Sequence, residues 1–425
     1  LRLFANMNYA GVTEMTLANG RRADIAAIGP KGEVTIVEIK SSVADYRSDG
    51  KWPEYRPFCD RFYFAVSHGF PKDLIPADAG LIVADGFGGA VLREPEVTPL
   101  AGARRKAVTL RFARLAAREK IPYILLLDGA GARATNALER HPYAPNDMIE
   151  IARLNEIAPT VAGIVGSSAG HGAISGLLMD FVLMTRNATL FAAGPALVAA
   201  ATGEVVSKED LGAADMHTRV SGVAHNIAED ESDLCAQIRR YLSYFPANCE
   251  QPAPITSDDD CGPRELVDVL SILPRNSQTP YDIRKLIERL CDNNSFYEFQ
   301  PGYGRSMVTG FARLGGRSIA VIANQPMVLA GTITAEAARK AAHVINLANR
   351  FGLAALFLAD NPGIMSGSQA ERAGTLRAAA EMYRAQTQFQ HPKLHVTLRK
   401  AYGFGSSLMA MNPFDNQTLS LALPG

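Results

Sequence analysis

Apolar and polar residues alternate over residues 23–28 and 33–40, on either side of Gly29-Pro30-Lys31-Gly32. A period of two predicts two strands, and the Gly-Pro chemistry between them predicts a hairpin. Residues 61–66 read as a further strand. Between residues 104 and 119 the period lengthens: Arg104, Arg105, Lys106, Arg111, Arg114 and Arg118 alternate with Leu, Val, Phe and Ala. This predicts a basic amphipathic helix whose charged face is either solvated, the favoured reading, or in contact with nucleic acid. From Ile121 onward the texture changes. Apolar runs at 123–127, 161–165, 319–322, 355–358 and 394–398, separated by helical stretches, predict a parallel α/β arrangement. A Pro- and Asp-rich linker over residues 249–277, containing Asp258-Asp259-Asp260, divides this region in two.

The two parts repeat each other. Leu125-Leu126-Leu127-Asp128-Gly129-Ala130-Gly131 matches Phe357-Leu358-Ala359-Asp360-Asn361-Pro362-Gly363 at an offset of 232. Gly170-His171-Gly172, between a strand and a helix, matches Gly403-Phe404-Gly405 at an offset of 233. Two landmarks at nearly one offset predict a duplication.

Composition sets outer limits. With 425 residues, 47% hydrophobic and 20% charged, the chain has room for two or three packed domains and is too apolar to be disordered. Lys plus Arg and Asp plus Glu number 43 each, so no whole-molecule field favours nucleic acid or a membrane. Residues 1–118 lean basic, 17 against 13, and the remainder leans acidic, 30 against 26. Cys59, Cys235, Cys249, Cys261 and Cys291 form no CxxC pair, which argues against a thiolate zinc site or a disulfide framework and fits a reducing cytoplasm. No run reaches the roughly 20 apolar residues that span a bilayer, so no membrane partner is expected. The chain opens with Leu1 and stops at Gly425 after an apolar run, and both ends read as cut.

A small-residue turn after a buried strand and before a helix offers main-chain amides to an oxyanion. Gly166-Ser167-Ser168-Ala169-Gly170-His171-Gly172-Ala173 fits that description, as does Arg399-Lys400-Ala401-Tyr402-Gly403-Phe404-Gly405-Ser406. Neither contains a GxGxxG or Walker pattern, so a nucleotide-phosphate role is weak. For Asp128 and Asp360 the expectation is that each organises the loop at a strand end by accepting backbone hydrogen bonds. His217 and His225 lack a third ligand, so no metal is expected there.

With Asp128 to Arg133, Gly166 to Gly170, Thr202-Gly203-Glu204, Asp210-Leu211-Gly212, residues 221–225, Asn324-Gln325-Pro326, Asp360 to Gly363 and Arg399 to Gly403 in order, the chain from about Ile121 resembles the carboxyltransferase subunit of biotin-dependent acyl-CoA carboxylases. The resemblance implies a duplicated crotonase-like (ClpP/crotonase) fold that moves a carboxyl group from carboxybiotin to the α-carbon of an acyl-CoA. It implies that Gly170, His171 and Gly172 border the thioester oxygen, and that Gly403, Phe404 and Gly405 border the biotin ureido oxygen. Gly129, Ala130, Gly131, Arg133, Gly166, Ser167, Ser168, Ala169, Asn324, Gln325, Pro326, Pro362, Gly363 and Tyr402 are expected against substrate. A separate biotin carboxylase and biotin carrier protein are implied as partners, because no Met-Lys-Met carrier motif occurs, and so is a homo-oligomer. His171 stands where the family usually has Gly, and Phe404-Gly405 replaces a Gly-Ala pair; both leave the acyl preference open. Strands that precede Ile121 in complete members are missing, which exposes an apolar edge on the 123–127 strand.

In the first region, Asp24 and Glu38-Ile39-Lys40 lie on adjacent predicted strands, and strand periodicity puts Glu38 and Lys40 on one face. Two carboxylates with a lysine suit an oxygen-liganded Mg2+, held by Asp24 and Glu38, with Lys40 activating or positioning a water for phosphodiester attack. Ala18 to Asp24, Val37 to Ser42, Lys51-Trp52-Pro53-Glu54-Tyr55, Cys59 to Phe64 and Arg104 to Phe112 together resemble the MmcB family of DNA repair endonucleases, on the PD-(D/E)XK nuclease fold. That resemblance implies DNA as partner, with Lys51, Trp52 and Tyr55 as supports or DNA contacts. The expected organisation is an MmcB-like α/β domain over residues 1–118, then incomplete carboxyltransferase halves over 119–255 and 256–425. Two alternatives stand beside a working carboxyltransferase: a nuclease carrying an inactive carboxyltransferase fragment, and a chimeric fusion with neither activity.

Overall fold

The computed structural model describes residues 3–4, 7, 9–29, 33–85, 88–100, 102–129, 147–256, 266–411 and 417–423. The chain divides into two compact units, one made of Leu1–Met179 and Phe191–Gly194, the other of Asp180–Leu190 and Pro195–Gly425. The join between the two family resemblances therefore lies inside the first unit.

In that unit β1 (Ala10–Thr16), β2 (Arg22–Ile28), β3 (Val34–Lys40), β4 (Arg61–Val66), β5 (Gly80–Ala84) and β6 (Gly89–Arg93) form one sheet in chain order. The β3, β4 and β5 strands run parallel, and the outer pairings are antiparallel. Ile25, Val37, Tyr63, Ala65 and Ile82 pack into one apolar cluster. Helix Gly102–Glu119 buries Val108, Phe112, Leu115 and Ala116. It rests on β1, where Arg111 donates to the Thr16 carbonyl at 2.9 Å. It also meets the next element, with the Phe112 ring 6.4 Å from that of Tyr123. Arg104 donates to the Pro57 carbonyl, while Arg114 and Arg118 reach Glu150 and Glu119, so these arginines are held locally on an exposed face. Beyond the helix, β7 (Tyr123–Gly129) runs parallel to β8 (Thr160–Ala169), with helix Asp147–Asn155 between them in sequence. Ile124 to Leu127 are only half-buried.

The second unit opens with β9 (Phe181–Thr185), all but the last residue of β10 (Thr189–Phe191), and β11 (Asn226–Ala228), where β9 and β11 pair in parallel. Its main sheet holds β12 (Tyr297–Phe299), β13 (Met307–Leu314), β14 (Arg317–Asn324), β15 (Ala354–Asn361), β16 (Lys393–Ala401) and β17 (Thr418–Ala422), again in chain order. The first three strands are antiparallel and the last four parallel. Helix Ile283–Leu290 packs Ile283, Leu286 and Ile287 into a cluster with Val308, Val321 and Leu356. Helix Ala335–Arg350, capped by the Thr334 hydroxyl on the Ala337 amide at 3.2 Å, lies against β13, β14 and β15. With both faces covered, β14 and β15 read as continuous apolar runs rather than alternating ones.

Candidate functional site

The two halves share an irregularity that builds the same turn twice. The β7–β8 register runs from Tyr123↔Thr160 to Leu127↔Ile164 and then jumps to Gly129↔Ser168. Asp128 alone stands opposite Val165, Gly166 and Ser167. In the second half the register reaches Ala359↔Thr397 and jumps to Asn361↔Ala401, so Asp360 stands opposite Leu398, Arg399 and Lys400. Such a bulge bends the strand and re-aims the chain beyond it.

Past each bulge come a glycine and a helix. Gly170 (φ 60, ψ −124) caps His171–Leu177, and Gly403 (φ 55, ψ −146) caps Phe404–Leu408. Those dihedrals belong almost wholly to glycine. Space is not the reason: a Cβ on Gly170 would meet nothing closer than the Ala192 carbonyl at 3.7 Å, and one on Gly403 would meet nothing within 4 Å. First-turn amides of a helix have no acceptor within the helix itself. Gly170, His171 and Gly172 are half-buried, Gly403 and Phe404 are exposed, and Gly405 is buried. Gly170 itself donates to the Phe191 carbonyl at 3.2 Å, so it supplies shape rather than an amide donor.

Behind the second turn lies a side-chain network. The Asn324 Oδ1 accepts from the Asp360 amide at 3.1 Å and from Asn361 Nδ2 at 3.0 Å, while Asn324 Nδ2 donates to the Gly331 carbonyl at 3.1 Å. The Asn361 Oδ1 in turn accepts from the Gly363 amide at 3.0 Å. Asn324, Gln325 and Pro326, expected against substrate, are buried. Gln325 Nε2 is spent on Asp282 at 2.7 Å, and Asn324 and Gln325 therefore organise loops rather than face a ligand. Pro362, Tyr402 and Phe404 are exposed around the turn, and Gly363 sits behind it with φ 119. The Phe404 ring leans on Tyr383 at 5.2 Å.

Asp360 departs from its expected role. Its carboxylate is fully buried and accepts from Arg399 Nε at 2.7 Å, with Lys400 Nζ 3.9 Å away. A side chain from the opposing strand, not a loop amide, neutralises it. Burial first, and then this carboxylate, push the Tyr281 hydroxyl upward. In the first half Asp128 and Gly129 are exposed, Ser167 is half-buried, and Ser168 and Ala169 are buried. Ala130, Gly131 and Arg133 lie outside the described residues. His217 Nε2 lies 2.6 Å from the Leu190 carbonyl, and His225 Nδ1 accepts from the Val182 amide at 2.9 Å.

In the N-terminal sheet Asp24, Glu38 and Lys40 do converge. Glu38 Oε1 accepts from the Asp24 amide at 3.3 Å, Asp24 Oδ2 from the Ile39 amide at 2.7 Å, and Lys40 Nζ stands 3.5 Å from Glu38. Asp49, not anticipated from sequence, holds Lys40 Nζ at 2.5 Å. Burial, then the Asp24 charge, push the Glu38 carboxyl up to about 7. Burial alone would lower the Lys40 ammonium, but the hydrogen bond and charge of Asp49 outweigh it and the value rises. Trp52 is half-buried and stacks on Phe62 at 5.7 Å, and Tyr55 is buried with its hydroxyl on the Arg22 carbonyl. Among the described residues no group of three or more His, Cys, Asp or Glu is arranged to hold a metal.

Residues 96–424 match the carboxyl transferase domain family. The chain belongs to that family. Residues 1–123 match the DNA repair protein MmcB-like family, and the two matches overlap on the segment holding helix Gly102–Glu119. Methylmalonyl-CoA decarboxylase subunit alpha of Veillonella parvula is 37% identical over 311 residues, covering 73% of this chain and 61% of that protein. The carboxyltransferase subunit of propionyl-CoA carboxylase from Haloferax mediterranei is 32% identical over 410 residues, covering 93% of this chain and 77% of that protein. A crystal structure of transcarboxylase 12S with methylmalonyl-coenzyme A and methylmalonic acid bound superposes with a TM-score of 0.69 at 31% identity, covering 75% of this chain and 62% of that one. The chain spans less than two thirds of the Veillonella protein's length. The carboxyl transferase part has the crotonase-type fold of these neighbours, and the N-terminal part is a separate α/β region. Among the described residues no helix is long and apolar enough to cross a membrane.

Proposed function

We propose that the chain is a biotin-dependent acyl-CoA carboxyltransferase module. The observation that carries this reading is the repeated bulge, glycine and helix at Gly170 and Gly403. The reaction breaks the carboxyl carbon's bond to a ureido nitrogen of carboxybiotin, a substrate delivered on a separate carrier by a biotin carboxylase partner, and leaves the electron pair on the ureido group. That group takes the α-proton of the acyl thioester, and the enolate so formed attacks the released CO2. Two anions therefore need donors, and two amide-bearing turns supply them. Gly170, His171 and Gly172 border the thioester oxygen; Gly403, Phe404 and Gly405 border the ureido oxygen. Gly129 and Gly166 to Ala169 line the acyl-CoA side, Pro362, Gly363 and Tyr402 the biotin side, and a homo-oligomer brings unlike halves together. Malonyl- or methylmalonyl-CoA should lose CO2 in the presence of free biotin, followed as acyl-CoA product. A folded oligomer that shows no biotin-dependent turnover ends this reading.

The N-terminal cluster supports a second, DNA-cleaving activity on a PD-(D/E)XK-type core. Asp24 and Glu38, on adjacent strands, fit a Mg2+ that keeps most of its shell as water. When bound, that ion supplies Lewis-acid chemistry for phosphodiester hydrolysis. Glu38 must shed its proton to serve as ligand, and Lys40 stands beside it to hold a water. Lys40→Ala should abolish Mg2+-dependent cleavage of DNA; cleavage at the wild-type rate would eliminate this assignment.

A further inference from the structure

We infer that Arg399 is a positioning residue for the second turn, and this rests on the carboxyltransferase reading. Arg399 is the middle of the three residues that β16 inserts at its bulge, four residues before Gly403. Its guanidinium is held on three sides. Nε donates to Asp360 at 2.7 Å, Nη1 donates to the carbonyls of Asn276 at 3.1 Å and Thr279 at 2.9 Å, and the group lies 4.6 Å from the centre of the Tyr281 ring. The side chain is 9% exposed and that of Asp360 is 0% exposed. A planar, permanently charged group with that many fixed partners locks the strand from which it projects.

The first half shows what the bulge is without it. The middle inserted residue of β8 is Gly166, and a Cβ placed there would fall 2.0 Å from Asp128 Oδ1. Gly166 sends no side chain across to Asp128, and Asp128 is exposed. An arginine at the middle inserted residue is therefore not a requirement of the bulge, and the one facing Asp360 serves something particular to the second turn. Arg399 and Lys400 set two positive charges against the one carboxylate. The surplus lies on the strand that leads into the turn assigned to the ureido oxygen, where negative charge develops. Arg399 thus fixes the direction of the Gly403–Gly405 amides and biases their surroundings toward an anion, without touching substrate.

The test uses the full chain with Arg399→Met, Arg399→Lys and the double variant Asp360→Asn with Arg399→Met, which removes both members of the closest buried pair together and guards against simple unfolding. Free biotin and malonyl-CoA give kcat and the KM for biotin, calorimetry gives the dissociation constant of malonyl-CoA, and hydrogen exchange reads the amides of residues 403–409 and 170–178. Arg399→Met should lower kcat about 100-fold, the scale of a misaligned reacting geometry, with malonyl-CoA binding unchanged within about twofold. Arg399→Lys should recover about tenfold of that loss. The double variant should stay folded yet remain slow, and exchange should quicken only at residues 403–409. Unchanged kcat, an equal loss of malonyl-CoA binding, or unaltered exchange at 403–409 would overturn the assignment. Absence of biotin-dependent turnover in the wild-type chain would sink the carboxyltransferase reading instead, while the exchange data would still decide whether Arg399 orders the turn.

Discussion

Asp128 and Asp360 occupy the same step of the same bulge, yet one is exposed against a glycine and the other is sealed in with an arginine. The backbone path survived duplication at both places, down to a glycine with φ near +60 before each helix. The electrostatics did not. Main-chain geometry is therefore the shared requirement of the two turns, and charge is where they are free to specialise.

The largest expected effect tests that division directly. Asp360→Asn strands a buried guanidinium and should cost the second unit about 3–5 kcal/mol in urea unfolding. The matching change at exposed Asp128 should stay within about 0.5 kcal/mol. Equal costs would erase the contrast. Next comes a buried carboxylate whose cation is shared. Lys40 is drawn to Asp49, and burial, then the Asp24 charge, push Glu38 up to about 7 against what pull Lys40 still exerts. Its carboxyl favours the folded state while protonated. That contribution is whole below the ordinary value of 4.5 and lost as pH rises through about 7. Stability should fall by up to about 3 kcal/mol across that window, and Glu38→Gln should flatten the slope. A flat profile in the wild-type chain would contradict the contrast between a dedicated cation and a divided one. The smallest effect separates the glycines. A Cβ on Gly405 falls 2.2 Å from Asn361 Oδ1 and 2.9 Å from Gly363 Cα, so Gly405→Ala should cost about 1–3 kcal/mol in thermal unfolding. Gly172→Ala meets only Leu127 Cδ2 at 3.9 Å and should be neutral or stabilise by up to about 1 kcal/mol.

Much of the scaffold could be read from the residues. The alternation over residues 23–40 became β2 and β3, the run at 61–66 became β4, and the basic helix extends from Gly102 to Glu119. The two glycine turns fall where the repeat put them, because a strand, a positive-φ glycine and a helix leave a local signature. The bulges were not legible, since register is a property of two strands and no single run records it. Nor was the capture of Lys40 by Asp49, which depends on how helix Val43–Ser48 ends. Asn324 and Gln325 looked like ligand contacts, yet their burial follows from the covering of both sheet faces. The opposition of Gly166 and Arg399 was visible in the repeat, and only the bulge shows that it matters.

Helix Gly102–Glu119 falls within both family matches, resting on β1 by Arg111 and reaching Tyr123 by Phe112. It acts as a splint and not a hinge. Cleavage within it would strip a cover from the N-terminal sheet and a brace from β7 together, so neither module can be excised with clean ends, and damage to one should register in the melting of the other.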